Sequence, residues 1–130
     1  MDPAGSELIH EHITSAILKC AIEVHRELGP GLLESAYRRC LRQALQAENL
    51  VTEEEAPISV GFRGQLIAGA YRADLIVEKK VLVEVKSVEA ILSVHIAQVR
   101  TYLKFLDLRV GLLLNFNVAQ LCQGIRRLAP

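Results

Sequence analysis

The sequence predicts an α/β fold, a mixed β-sheet flanked by helices, and three observations carry that prediction. Two long helical patterns open the chain. A run of strands rich in β-branched residues follows, ending in the hairpin Tyr71–Lys86. A helical pattern then leads into Arg109–Phe116, a nearly all-apolar strand of the kind buried on both faces. A strand, helix, buried strand passage calls for a right-handed crossover to a parallel neighbour, so the sheet is mixed.

Apolar residues at Ile9, Ile13, Ile17, Cys20, Val24 and Leu28 make Glu7 to Leu28 one amphipathic helix with Ser6 as its N-cap. Gly29-Pro30-Gly31 ends it. The second helix carries Leu33, Tyr37, Leu41 and Leu45 on one stripe and stops near Glu48-Asn49, forming a helical hairpin or corner with the first. From Val51 the period becomes two: Val51–Glu55, Ile58–Phe62 and Leu66–Val77 read as strands, with Arg63-Gly64 turning between the last two. Ser93–Leu106 returns to helical spacing, with Arg100 and Lys104 on its wet side. Asn117 is placed to cap a short last helix, which Gly124 ends before an Ile125–Leu128 segment.

Composition bounds the rest. The 130 residues are 51% hydrophobic, enough for one packed domain over 7–130, with 1–6 read as a disordered lead. Fifteen basic and 15 acidic residues cancel, which argues against binding nucleic acid with the whole surface but not against a local basic patch. Cys20, Cys40 and Cys122 form no CxxC and read as reduced, buried small hydrophobes. The polar start has no signal-peptide character and no run is long enough to cross a bilayer, so a soluble cytoplasmic protein is expected.

Chemistry concentrates in the hairpin. Glu84 and Lys86 leave one face of the second strand, and Arg72, Asp74 and Ile76 one face of the first. A three-residue loop, Glu78-Lys79-Lys80, pairs Val77 with Val81, Asp74 with Glu84 and Arg72 with Lys86. A two-residue loop would put the two acids on opposite faces. Facing carboxylates in an apolar hairpin demand a cation and suit metal-dependent phosphodiester cleavage, with Lys86 beside the attacking water. Taken alone, however, D-x9-E-x-K describes many hairpins, and a salt bridge of Lys86 with Asp74 or Glu84 on a solvated face is the readier account of it. Glu34 in the first turn of the second helix is the next candidate. Its ordinary reading is helix-start chemistry or an i,i+4 pair with Arg38. On the following helix His95, Gln98 and Tyr102 lie within about 60° of one another on a core-facing arc, where polar groups must find partners. Arg38, Arg39 and Arg42 offer a basic edge that could contact phosphate or remain a solvated face. Arg72 could clamp a phosphate or merely neutralise the acids.

Gly31-x-x-Glu34-x-x-Tyr37, preceded by Val24-His25-Arg26-Glu27-Leu28-Gly29-Pro30, together with Asp74, Glu84-Val85-Lys86, Gln98-x3-Tyr102, Gly111–Asn117 and Gly124–Arg127, resembles the GxxExxY family of the PD-(D/E)xK nuclease superfamily. The superfamily's proline before the first acid is replaced by Ala73. The resemblance spans about Ile13 to Arg127. It implies a restriction-endonuclease-like core, with Glu34, Asp74, Glu84 and the Val85 carbonyl around Mg²⁺ (or Mn²⁺), Lys86 as catalytic lysine, and Gln98 and Tyr102 orienting the site. Arg72, Arg38 and His95 are then candidates for substrate contact. Nucleic acid, DNA ahead of RNA, is the expected partner. A domain this small can grip little duplex, so a homodimer or partner-dependent action is expected too. The competing reading is a catalytically silent nucleic-acid- or protein-interaction module that keeps the fold.

Overall fold

A computed structural model describes residues 8–130. In chain order the elements are α1 (Glu11–Leu28), α2 (Glu34–Ala47), β1 (Thr52–Phe62), β2 (Gln65–Val77), β3 (Val81–Lys86), α3 (Ser93–Leu106), β4 (Val110–Asn115), a 3₁₀ turn (Leu121–Gly124) and β5 (Ile125–Leu128). The five strands form one sheet in the order β1-β2-β3-β4-β5. Only β3 and β4 are parallel, joined by α3 as the crossover. The other neighbours are antiparallel.

Alternation along β3 and β4 builds the two halves of the core. Val81, Val83, Val85, Leu112 and Leu114 pack under α1 and α2 with Ile17, Tyr37 and Leu41. Leu82 and Leu113 point the other way, under Val99, Tyr102 and Leu103 of α3. Both faces are therefore covered, which is why these strands read as continuous apolar runs. Each fully buried aliphatic side chain contributes about 1.5–3 kcal/mol relative to exposure. At the far end of the sheet, a Cβ on Gly124 would stand 2.1 Å from the Asn115 carbonyl oxygen, so only glycine lets the last turn close onto β4.

The predicted hairpin register holds: Val77 pairs with Val81 across a three-residue loop. Glu78 and Lys79 take left-handed conformations there, and Lys80 donates its amide to the Val77 carbonyl at 3.0 Å. Other expectations need correction. The first helix starts at Glu11, not Glu7, behind a left-handed His10; the expected cap Ser6 and first-turn Glu7 lie outside the described residues. Val51–Glu55 and Ile58–Phe62 are parts of one strand, β1, because the bend at left-handed Glu55 does not stop its pairing with β2. Asn117 caps no helix: its amide binds the Asn115 side chain, and the 3₁₀ turn starts four residues later. Ile125–Leu128 is an edge strand on β4. Cys122 is exposed, not buried, while Cys20 is buried.

Candidate active site

The β2–β3 ladder stops at Leu75–Val83, one pair short of the two acids. Beyond it, side chains replace the backbone ladder. The Asp74 amide donates to Glu84 Oε2 at 2.8 Å, and the Val85 amide donates to Asp74 Oδ2 at 2.8 Å. The expected pairing of Arg72 with Lys86 does not form; Arg72 sits opposite Pro57 in β1. The cause is a roll in β1 and β2. Leu75 packs on the α1/α2 side and Ala73 on the α3 side, although residues two apart in a regular strand share a face. Glu54 and Ala56 change sides in the same way about left-handed Glu55. Asp74 stands at that roll, where the sheet splits.

Val85 has a further consequence. Its amide points toward β2, and in a strand the carbonyl of a residue points to the same side as its own amide. The next carbonyl, that of Lys86, points the opposite way and accepts the Phe116 amide at 2.9 Å. The Val85 carbonyl therefore faces the split, beyond the last rung of the ladder.

Glu34 reaches the same place through the corner between α1 and α2. Gly31 holds φ 100°, a conformation that disfavours any side chain. Three residues after Glu34, fully buried Tyr37 stacks on Phe116 with ring centroids 4.5 Å apart and donates its hydroxyl to the Gly29 carbonyl. The same hydroxyl accepts the Leu32 amide at 3.1 Å. The corner thus pinned meets the end of β3: Ser87 Oγ donates to the Leu32 carbonyl at 2.6 Å, and the Ser87 amide to Glu34 Oε2 at 3.2 Å. Gly31, Glu34 and Tyr37 are one device that fixes a carboxylate beside the residue following Lys86. The Glu34–Arg38 pair that helical spacing allows is absent among the described ion pairs.

On the α3 side Lys86 Nζ donates to Gln98 Oε1 at 3.2 Å, and Gln98 Nε2 donates to the Tyr102 hydroxyl at 3.1 Å. Two of the three polar residues on that arc therefore join the site. His95 does not: its Nδ1 accepts the Leu92 amide at 2.9 Å, closing the start of its own helix. Arg72 donates to the Glu55 carbonyl at 3.3 Å. Arg38 and Arg42, expected on a solvated face, instead hold Glu54 at 2.9 and 3.0 Å. Arg38 nevertheless lies close enough for its charge to be felt at Asp74.

The electrostatics of the two acids are unusual. Glu84 is only 4% exposed. Burial first, and the neighbouring Asp74 carboxylate second, push its pKa up to about 8. Burial also raises Asp74, against the pull of the Val85 amide and the Arg38 charge. Burial and the Glu84 charge together raise Tyr102. Among the described residues no lysine or arginine forms an ion pair with Asp74 or Glu84, so the salt bridge that the pattern alone allowed is not made. Nor are three acidic, histidine or cysteine side chains gathered into a ready-made cation cage. Asp74 and Glu84 each direct one oxygen at a strand amide, and their other oxygens accept no hydrogen bond from the described residues. Two carboxylates and a carbonyl, all hard oxygen donors, fit a divalent cation. Glu34 stands near enough for its charge to act on both.

Sequence reasoning missed Ser87 and Asn115. Asn115, 2% exposed, accepts the Val88 amide and donates to the Val88 carbonyl, clamping the segment after Lys86. A polar residue closing the apolar run Val110–Leu114 was the available signal. Two concavities elsewhere, one between α1 and α2 around Cys40 and one between α1 and Gln120–Cys122, contain none of these side chains. No described helix is long and apolar enough to cross a membrane.

Compared with known families, residues 11–128 match the model described as the PD-(D/E)XK nuclease superfamily. No curated protein and no solved structure gives a match.

Proposed function

Because this chain belongs to the PD-(D/E)XK nuclease superfamily, we propose that it is a divalent-metal-dependent nuclease of the GxxExxY branch that hydrolyses phosphodiester bonds in DNA. The observation that carries this reading is the pair of opposed carboxylates, half-buried Asp74 and buried Glu84, with no ion-pair partner among the described residues. A fold gains nothing in stability from such a pair, since each raises the cost of ionising the other. Asp74, Glu84 and the Val85 carbonyl would hold the ion, with Glu34 on its outer side. Mg²⁺ is the natural choice and Mn²⁺ a substitute, since the donors are all oxygen. When bound, the ion would supply Lewis-acid polarisation of the phosphate and a lowered pKa for the attacking water.

The remaining steps fall to the chain. Lys86 presents a cation that Gln98 holds in place, at the position where an attacking water or a phosphate oxygen can be oriented and developing negative charge stabilised. Tyr102 fixes Gln98. Ser87 and Tyr37 set the position of Glu34. Arg72, at the open side of the split, can exchange the Glu55 carbonyl for a phosphate oxygen. The test is incubation of pure protein with linear, circular and single-stranded DNA and with RNA, in Mg²⁺ or Mn²⁺. Cleavage of DNA is expected, lost in Asp74→Asn and in Lys86→Ala; cleavage that persists in both overturns the assignment.

One observation favours the silent-module reading: no three-acid cage stands preformed among the described residues. Calorimetric titration with Mg²⁺ and Mn²⁺ separates the two. Binding that disappears in Asp74→Asn belongs to a nuclease site, whereas no heat with either ion leaves an interaction module.

A further inference from the structure

Past the split, β1 and β2 run on beyond β3 as a two-stranded arm whose root packs under α3 through Ala56, Ile58 and Ala73 and whose outer part, beyond Ile58 and Tyr71, projects. Pairing of β2 with β3 ends at Leu75, but pairing with β1 continues to Phe62–Gln65. Every residue of β2 from Gln65 to Arg72 is exposed. Phe62 and Leu66 near the tip are 57% and 72% exposed. An isolated hairpin is marginally stable in water, and both edges of this one are open, so something is expected to lie against it.

The charge of the arm says what. From Ala56 to Ala73 the only charged residues are Arg63 and Arg72, in a chain whose 15 acids match its 15 bases overall. The acids Glu55 and Asp74 stand immediately outside this stretch. At the tip the Arg63 guanidinium lies over the Phe62 ring, 5.1 Å from its centroid. The ribbon is also slim and bent: Ala68, Gly69 and Ala70 form an irregularity opposite Ser59, with Gly69 at φ 63°. At its root the Tyr71 ring lies 5.5 Å from that of Tyr102, continuous with the Lys86–Gln98–Tyr102 chain. From Asp74 to the tip the arm extends roughly 25–30 Å at strand rise, close to one turn of B-form DNA, about 34 Å.

We propose that this arm is laid into a groove of B-form DNA, with Phe62 and Arg63 engaging the duplex about one turn from the bond held at the candidate site. The major groove of B-DNA admits a two-stranded ribbon, whereas the major groove of A-form RNA is too deep and narrow for side chains to read. A second copy of the chain could also cover Leu66 and Ile67, but self-association gives no reason for a stretch that excludes acids. The proposal takes from the nuclease reading only the position of the scissile bond.

The experiment measures fluorescence anisotropy of a short labelled DNA duplex against the full chain carrying Asp74→Asn and Glu84→Gln, which cannot cleave and keeps the hydrogen-bond acceptors of both side chains. Adding Phe62→Ala and Arg63→Ala is expected to weaken DNA binding about tenfold or more and to lower the salt slope by about one. Affinity for an RNA duplex of the same sequence should change little. Unchanged DNA affinity, no DNA binding by the parent protein, or a loss that accompanies a shift from dimer to monomer in sedimentation overturns the proposal; the last outcome assigns the arm to a second copy. Arm-dependent binding by a chain whose wild type cleaves nothing would sustain the arm and remove the nuclease reading alone.

Discussion

Glu54 and Glu84 stand almost level across the sheet, since Glu54 pairs with Leu75 and Leu75 with Val83, yet their surroundings are opposite. Glu54 points to α2 and receives Arg38 and Arg42, and the Arg38 hydrogen bond holds its carboxyl below the usual value. Glu84 points to α3, receives a backbone amide and no cation, and faces a second carboxylate that raises its pKa further. Where the fold uses a carboxylate to join helix to strand it supplies the counter-charges from its own chain. Where a carboxylate is left buried and short of positive charge, as Glu84 is, the proposed ion would supply the counter-charge from outside. On that reading the difference between the two glutamates separates architecture from function.

Exchanging each acid for its amide breaks that comparison if it is wrong. Glu84→Gln keeps the acceptor for the Asp74 amide but no negative charge, so DNA cleavage should fall at least about a hundredfold, the scale of losing a group that organises charge in a transition state. Thermal unfolding without metal should show the fold intact or strengthened. Glu54→Gln should do the reverse. Cleavage stays within a few-fold, while denaturant unfolding shows a loss of about 2 kcal/mol, because charged hydrogen bonds to Arg38 and Arg42 are weakened. Equal effects of the two substitutions on cleavage would dissolve the distinction.

The pH dependence sharpens it. Glu84 binds its proton more tightly folded than unfolded, so between its ordinary value of 4.5 and about 8 the native state holds the extra proton and stability falls as pH rises. Glu54, with a lowered pKa, contributes stability above its unfolded value and loses it as pH falls through the folded one. Without metal, the melting temperature of the wild type should therefore drop from pH 5 to pH 8, by about a few degrees or more, and Glu84→Gln should flatten that drop. Divalent ions displace the proton, so their affinity should climb over the same window and their presence should reverse the slope. A metal-free melting temperature that rises toward pH 8 in the wild type would contradict the placement of Glu84.

Much of this arrangement is legible in the chain because it is local. The three-residue loop and the alternation of Val81–Lys86 set the parity that brings Asp74 to Glu84, and helical spacing aligns Gln98 with Tyr102. The roll at Asp74 is not legible, because it depends on Glu55, a residue from another strand in a left-handed conformation that glutamate seldom adopts. For that reason Arg72 was expected against Lys86 and lies against β1. The Arg38–Glu54 pair joins residues 16 apart through tertiary packing, so spacing rules proposed only the nearer Glu34. Helical position alone does not tell a capping nitrogen from a site nitrogen, and for His95 it is the Leu92 amide on Nδ1 that marks the first role.

The smallest expected effect concerns how Glu34 is held, and it tests whether the third acid shares the condition of Glu84. Tyr37→Phe keeps the stacking on Phe116 but leaves the Gly29 carbonyl and Leu32 amide without their shared hydroxyl. Unfolding should report a loss of about 1–3 kcal/mol for the unsatisfied groups. Ser87→Ala removes the bond to the Leu32 carbonyl at the rim, where water can replace it, and should cost less than about 1 kcal/mol. If the corner serves to aim Glu34, both variants should lower cleavage several-fold, and raising Mg²⁺ should recover most of the loss, because the ion site is loosened and no ligand has been deleted. If Glu34 is merely a helix-start carboxylate, cleavage should follow stability alone: Tyr37→Phe would matter near the melting temperature, Ser87→Ala would not, and added Mg²⁺ would rescue neither.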